Sequence, residues 1–183
     1  MTEHDIEERA RAELKMIERF ERISDDGGSI DPAELSLALN DGGEALRATA
    51  LDYLATSAPS DLSTGDVMGL ASREKEIQCL GRLVYLSHIW NNKFIAEAIN
   101  WRLTPAEAEY INLWDAAGRL TSSADVSAAV ILVNAYRYGD WELKELSGNL
   151  MEDIVEANPK IAAMLTLISN AFENILVGVS DSA

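Results

Sequence analysis

Cys79, Tyr85, His88 and Trp90 lie in one stretch and are the side chains with the greatest capacity for chemistry. A Cys–His pair works only if the imidazole can take the thiol proton, which requires the two groups within hydrogen-bond reach. Here they are nine positions apart in an apolar, helical-looking segment. At roughly 100° per residue they fall half a turn out of phase and face opposite sides of one helix. Cys79 therefore reads as a small core residue and His88 as a packed histidine. An alternative places a small-molecule or catalytic pocket around Tyr85, His88 and Trp90, since an imidazole between two aromatic rings suits a pocket wall. If the helix ran on across Asn91-Asn92, Trp90, Phe94 and Trp101 would share a face. Core packing explains such a stripe first, and a partner surface second. His4, His88 and Cys79 are too few for a zinc site of three or four ligands. No Glu-x-x-His pair suggests a di-iron centre. The glycine pairs Gly27-Gly28 and Gly42-Gly43 lack the Lys-Ser of a phosphate loop. No catalytic residue, metal or cofactor is assigned.

The acidic side chains are the other candidate. Asp25, Asp26, Asp31, Glu34, Asp41 and Glu44 cluster around two turns that bracket a short predicted helix. On a shared face they would make a negative field able to dock a basic protein surface or to imitate nucleic-acid phosphates. Acids are also favoured at helix N-termini, so capping and solubility compete with that reading. Residues 23–34 resemble an EF-hand calcium loop at Asp25, Gly28, Ile30, Asp31 and Glu34. The first ligand position holds Ile23 and the fifth Gly27, which leaves calcium short of its six to eight oxygens. A polar turn followed by a capped helix accounts for the same residues.

Positioning these residues requires helices. Three of the four prolines follow a capping residue, in Asp31-Pro32, Thr104-Pro105 and Asn158-Pro159. Proline suits the first helical position, where its missing N–H costs nothing, and the preceding side chain caps. Glu34 and Glu107 stand at capping-box spacing from Asp31 and Thr104. Ser57-Ala58-Pro59-Ser60 reads as a connector. Periodicity predicts helices over about 3–23, 32–39, 44–57, 66–90, 93–102, 105–117, 123–138, 141–157 and 159–177. In the first, Ile6, Ala10, Leu14, Ile17, Phe20 and Ile23 form one stripe. Residues 77–90 are apolar on every side, as a buried central helix should be. Asn91-Asn92 is a predicted break, and Gly118 and Gly139 are predicted C-caps. Gly148 would split the 141–157 helix. Val130-Ile131-Leu132-Val133 suits a buried strand by composition, but its flanks favour helix. Residues 180–183 are expected to fray. The expected fold is an all-α bundle of about seven to nine helices forming a single domain over 1–183, with a sub-boundary in the connector 57–65.

Bulk composition bounds the partners. The chain has 183 residues, 31 acidic and 15 basic, for a net charge of −16. Residues 1–60 carry 14 acids against 6 bases, and 121–183 carry 9 against 3, so the middle third is nearly neutral. Such a surface repels phosphates and anionic lipid, which points away from nucleic acid and membrane and towards a protein partner with a basic surface. A lone cysteine forms no internal disulfide and fits a reducing compartment. MTEHDIEERARAEL has no apolar core, unlike a signal peptide, and no run reaches the ~20 apolar residues of a membrane helix; the expected location is cytoplasmic. The leading expectation is a non-enzymatic protein-binding or regulatory domain acting through its acidic surface. The alternatives are a ligand-binding or enzymatic bundle with the 85–90 pocket, and a structural subunit of a larger assembly.

Overall fold

The computed structural model describes residues 3–26, 28–100 and 103–180, and within these the side chains of 3, 5, 25, 61, 100, 106 and 173–180 lie outside the description. Among the described residues there are ten α-helices and no strand. The chain is all-α, as periodicity and proline placement predict. The helices form two compact units, Met1–Thr104 and Pro105–Ala183. The connector 57–65 lies inside the first unit, and its second half is already helical.

In the first unit, α1 (Glu3–Asp26) packs on α3 (Glu44–Ala55). Phe20 is fully buried and meets Tyr53 edge-on, with ring centroids 5.9 Å apart. The predicted α1 stripe is buried only at that end: Ile6 and Leu14 are 51% and 60% exposed. Length explains this. At 1.5 Å per residue α1 spans about 36 Å and α3 about 18 Å, so one cannot cover the other.

Helix α2 (Pro32–Asp41) starts as its sequence predicts, with Asp31 Oδ1 accepting from Ala33 N at 2.7 Å. The capping box does not close, because Glu34 turns instead to Arg19, 3.0 Å away. At the turn into α3, a Cβ on Gly42 would lie 2.4 Å from the Ala38 carbonyl oxygen, so the chain passes too close for any side chain. Gly43 has no side chain to cap α3; its N–H donates to Glu13 Oε2 of α1 at 3.2 Å.

The predicted helix over 66–90 is two helices, α4 (Asp61–Arg73) and α5 (Ile77–Ile89). Ser60 begins α4 with a reciprocal box: its Oγ accepts from Ser63 N and its own N–H donates to Ser63 Oγ. The break falls at Glu74, whose backbone is extended and whose carboxylate Oε1 accepts from Lys75 N at 2.8 Å and Glu76 N at 3.0 Å. A side chain that binds the next two amides offers the backbone an alternative to helix. Helix α5 buries Cys79, Leu80, Leu83, Val84 and Leu86, as expected of the 77–90 segment. It ends at the predicted break, where Asn91 has φ 50°, and α6 (Lys93–Asn100) follows. Trp90 and Phe94 therefore do not belong to one continuous helix, and Trp101 lies outside the described residues.

In the second unit, α7 (Pro105–Ser123) runs through the predicted stop at Gly118, which is buried inside the helix. A glycine inside a helix costs about 1 kcal/mol, too little to end one whose neighbours are buried. The turn comes instead at Ala124, with φ 51°. Asp125 then caps α8 (Val126–Tyr138) by accepting from Ser127 N at 2.8 Å. The Val130–Val133 run is helical. Helix α9 (Trp141–Ala157) continues unbroken through Gly148, where a Cβ would come 3.4 Å from the Tyr136 ring. Ser147, beside it, is fully buried and donates to the Leu132 carbonyl at 2.6 Å, tying α9 to α8. Helix α10 (Lys160–Ser180) closes the unit against α8 and α9. No helix among the described residues is long and apolar enough to cross a membrane.

Candidate functional site

The six acids of the predicted surface do not share one fate. Asp31 caps α2 and Glu34 pairs with Arg19. Asp26, Asp31, Asp41 and Glu44 are exposed, and none of these four carboxylates has a cationic partner among the described residues. The Asp25 side chain lies outside the described residues. Arg9 approaches Asp41 but binds its backbone carbonyl, at 2.8 Å, and spends its Nε on Glu13. Four negative charges thus stand unneutralised around the two ends of α2. The calcium-loop resemblance gains nothing from this placement, because Asp31 and Glu34 are committed to a backbone amide and an arginine. No group of three or more metal-binding side chains occurs among the described residues.

The residues proposed to line an aromatic pocket sit on and just after the last turn of α5. Tyr85, His88 and Trp90 are each part-buried. Trp90 is the C-cap residue of α5, and its indole Nε1 donates to the Ser57 carbonyl at 3.3 Å. That contact fastens α5 to the connector between α3 and α4. On α5, Cys79 and His88 lie on one continuous helix, so the half-turn offset between them holds. Cys79 points instead at the Glu44 carbonyl, 3.6 Å from its sulfur. Burial, then the nearby Glu74 charge, push its thiol up to about 12. A thiol that stays protonated at neutral pH is a poor nucleophile.

A hollow opens between the start of α2, the connector and α4. It has a volume of about 140 Å³ and involves none of the three 85–90 residues directly. Ile30, Leu35, Tyr53 and Leu54 form its apolar floor, and Leu62, 54% exposed, stands at its rim. The Tyr53 hydroxyl accepts from Ile30 N at 3.1 Å and so holds the α1–α2 loop against α3. One wall is polar. Ser60 and Ser63 are occupied with each other in the α4 box. Asp66 accepts at Oδ1 from Asn40 Nδ2, 3.1 Å away, and has no cation partner among the described residues. Asn40 in turn accepts from Arg73 at 2.7 Å, which holds the amide in place. Among the described side chains, Asp66 is the one carboxylate lining the hollow, and no basic residue lines it. Asp31 sits between two lining residues, Ile30 and Pro32, so the acidic surface and the hollow are neighbours in the chain. No sequence signal marks this site, because its residues are spread over 30–66 and brought together by packing.

Elsewhere in the first unit, a charged pair is largely buried. Arg47 on α3 pairs with Glu74 through Nε–Oε2 at 2.7 Å and Nη2–Oε1 at 3.1 Å, and the Glu74 side chain is only 3% exposed. Burial pushes the Glu74 carboxyl up, but the Arg47 hydrogen bonds and those of the Glu76 and Lys75 amides outweigh it and hold it below its ordinary value. Arg47 also donates to the Gly42 carbonyl at 2.8 Å. The pair is fully engaged with protein, which makes it a structural joint between the α2–α3 turn and the α4–α5 break.

Comparison with protein-family models, with curated proteins and with solved structures returned no match.

Proposed function

We propose that this protein is a non-enzymatic protein-binding or regulatory domain that engages a basic partner through the acidic surface of its first unit. The observation behind this reading is the set of exposed carboxylates at Asp26, Asp31, Asp41 and Glu44, which no cation of the described residues neutralises. Arginines are close by, and they are spent elsewhere: Arg19 on Glu34, Arg47 on Glu74, Arg9 on Glu13 and a backbone carbonyl. Unneutralised surface charge steers an oppositely charged partner and sets its register. The titratable groups with chemical potential point away from catalysis, with Cys79 held protonated and Glu74 locked to Arg47.

The test begins with affinity purification from the native host and mass spectrometry to name the partner. Binding is then measured for the parent chain and for a variant carrying Asp26→Lys, Asp31→Asn, Asp41→Lys and Glu44→Lys. Asparagine at 31 removes the charge but keeps the helix cap. The expected result is binding that weakens from about 50 mM to about 500 mM salt, as screening shortens the reach of surface charge, and that the variant loses. A partner held equally by both chains at both salt concentrations overturns the reading.

A further inference from the structure

We infer that the hollow between α2, the α3–α4 connector and α4 is a binding site for a lysine side chain presented by the partner protein. This rests on the reading of the first unit as a surface for a basic partner and gives that surface its anchor point. Size comes first. At about 140 Å³ the hollow is well below the roughly 300 Å³ at which drug-sized pockets begin. It suits one side chain better than a cofactor.

Chemistry narrows the choice. An apolar floor of Ile30, Leu35 and Leu54 asks for an aliphatic stem, and the Asp66 carboxylate on the wall asks for a positive end. Among the described residues, no basic side chain lines the hollow to satisfy Asp66 from within the chain. Lysine and arginine both combine a stem with a cation, burying the one and keeping the other polar. Asp66 separates them. Its Oδ1 already accepts from Asn40, which is itself pinned by Arg73. A guanidinium prefers two free carboxylate oxygens for its fork, whereas an ammonium binds as a point charge. The remaining Oδ2 is matched to the ammonium.

The test is an amide-resonance titration of the ¹⁵N-labelled full chain. The probes are a capped Gly-Gly-Lys-Gly-Gly peptide, its norleucine and arginine counterparts, and butylammonium. The lysine peptide is expected to shift the Leu35, Tyr53, Leu62 and Asp66 amides saturably and to bind more tightly than the other three. Asp66→Asn should weaken it by up to about five-fold, the range of a solvent-exposed ion pair. Ala58→Leu, at an exposed lining position, fills the hollow from its rim without disturbing the core and should abolish the shifts. Silence at these amides, equal binding of the norleucine peptide, or indifference to Asp66→Asn overturns the site. Tighter binding of butylammonium than of the peptide overturns the assignment to a protein-borne lysine. The two proposals fail separately. A silent hollow with a charge-dependent partner sinks this one alone, and a lysine-binding hollow with a partner indifferent to the four-site variant sinks the acidic-surface reading alone.

Discussion

Glu74 shows how much one side chain decides at the residue scale. Its carboxylate ends α4, starts the turn to α5 and holds Arg47, all while nearly buried. Removing the arginine would strand a buried negative charge. Arg47→Ala is therefore expected to destabilise the first unit by about 3 kcal/mol, the cost of breaking a buried pair from one side, measured by urea denaturation at pH 7. The pH dependence follows from the direction of the Glu74 shift. Its folded value lies below the ordinary 4.5. Its stabilising contribution is thus fully present above about 4.5 and is lost as pH falls through the lower folded value. The stability gap between the parent and Glu74→Gln should be widest at neutral pH and close as the solution is acidified below 4.5. A gap that stays constant down to pH 3 would show that the charge of Glu74 does not carry its role.

At the scale of elements, helix starts follow local chemistry and helix lengths do not. Asp31, Ser60, Asp125 and Asp140 each accept from an amide in the first turn of the following helix. Ser60 closes a serine–serine box, which the usual Ser-x-x-Glu signature misses. Ser60→Ala should cost about 1 kcal/mol, the usual worth of an N-cap, seen as an earlier thermal transition in circular dichroism. It should also loosen the connector that forms one wall of the hollow. An unchanged transition would mean that the Ser63 hydroxyl alone suffices. Helix ends depend on more than local sequence. Gly118 looks like a stop but lies inside α7, whereas Glu74 looks like a helix former but ends α4. In both cases burial and a distant partner outweigh local propensity: Glu74 is drawn out of helix by Arg47, 27 positions away.

For the whole molecule, the division at Thr104/Pro105 makes a prediction of its own. Each unit has its own buried core, with Phe20, Leu51, Leu54 and Leu83 in the first and Leu120, Leu132, Leu150 and Ile154 in the second. Chains of residues 1–104 and 105–183, expressed separately, are each expected to be helical and to unfold cooperatively in urea. Aggregation or non-cooperative melting of either fragment would show that its core is incomplete alone. The net charge of −16 acts at this scale as well, since self-repulsion opposes the compact state.

By itself, the sequence determined the helical class, the helix starts at Pro32, Pro105 and Trp141, the buried 77–90 segment, the break at Asn91 and the strong acidity. These depend on periodicity, on proline and capping residues, and on charge, all of which act between residues a few positions apart. Tertiary structure alone decided which acids are neutralised, since Glu34 meets Arg19 only once α1 and α2 pack. It decided that 66–90 is two helices, through the long-range hold of Arg47 on Glu74. It also created the hollow, whose floor and Asp66 carboxylate come from three helices and one connecting segment. A site assembled by packing leaves no spacing to read. The residues that do have a readable spacing, Cys79 and His88, are held apart by the helix that carries them both.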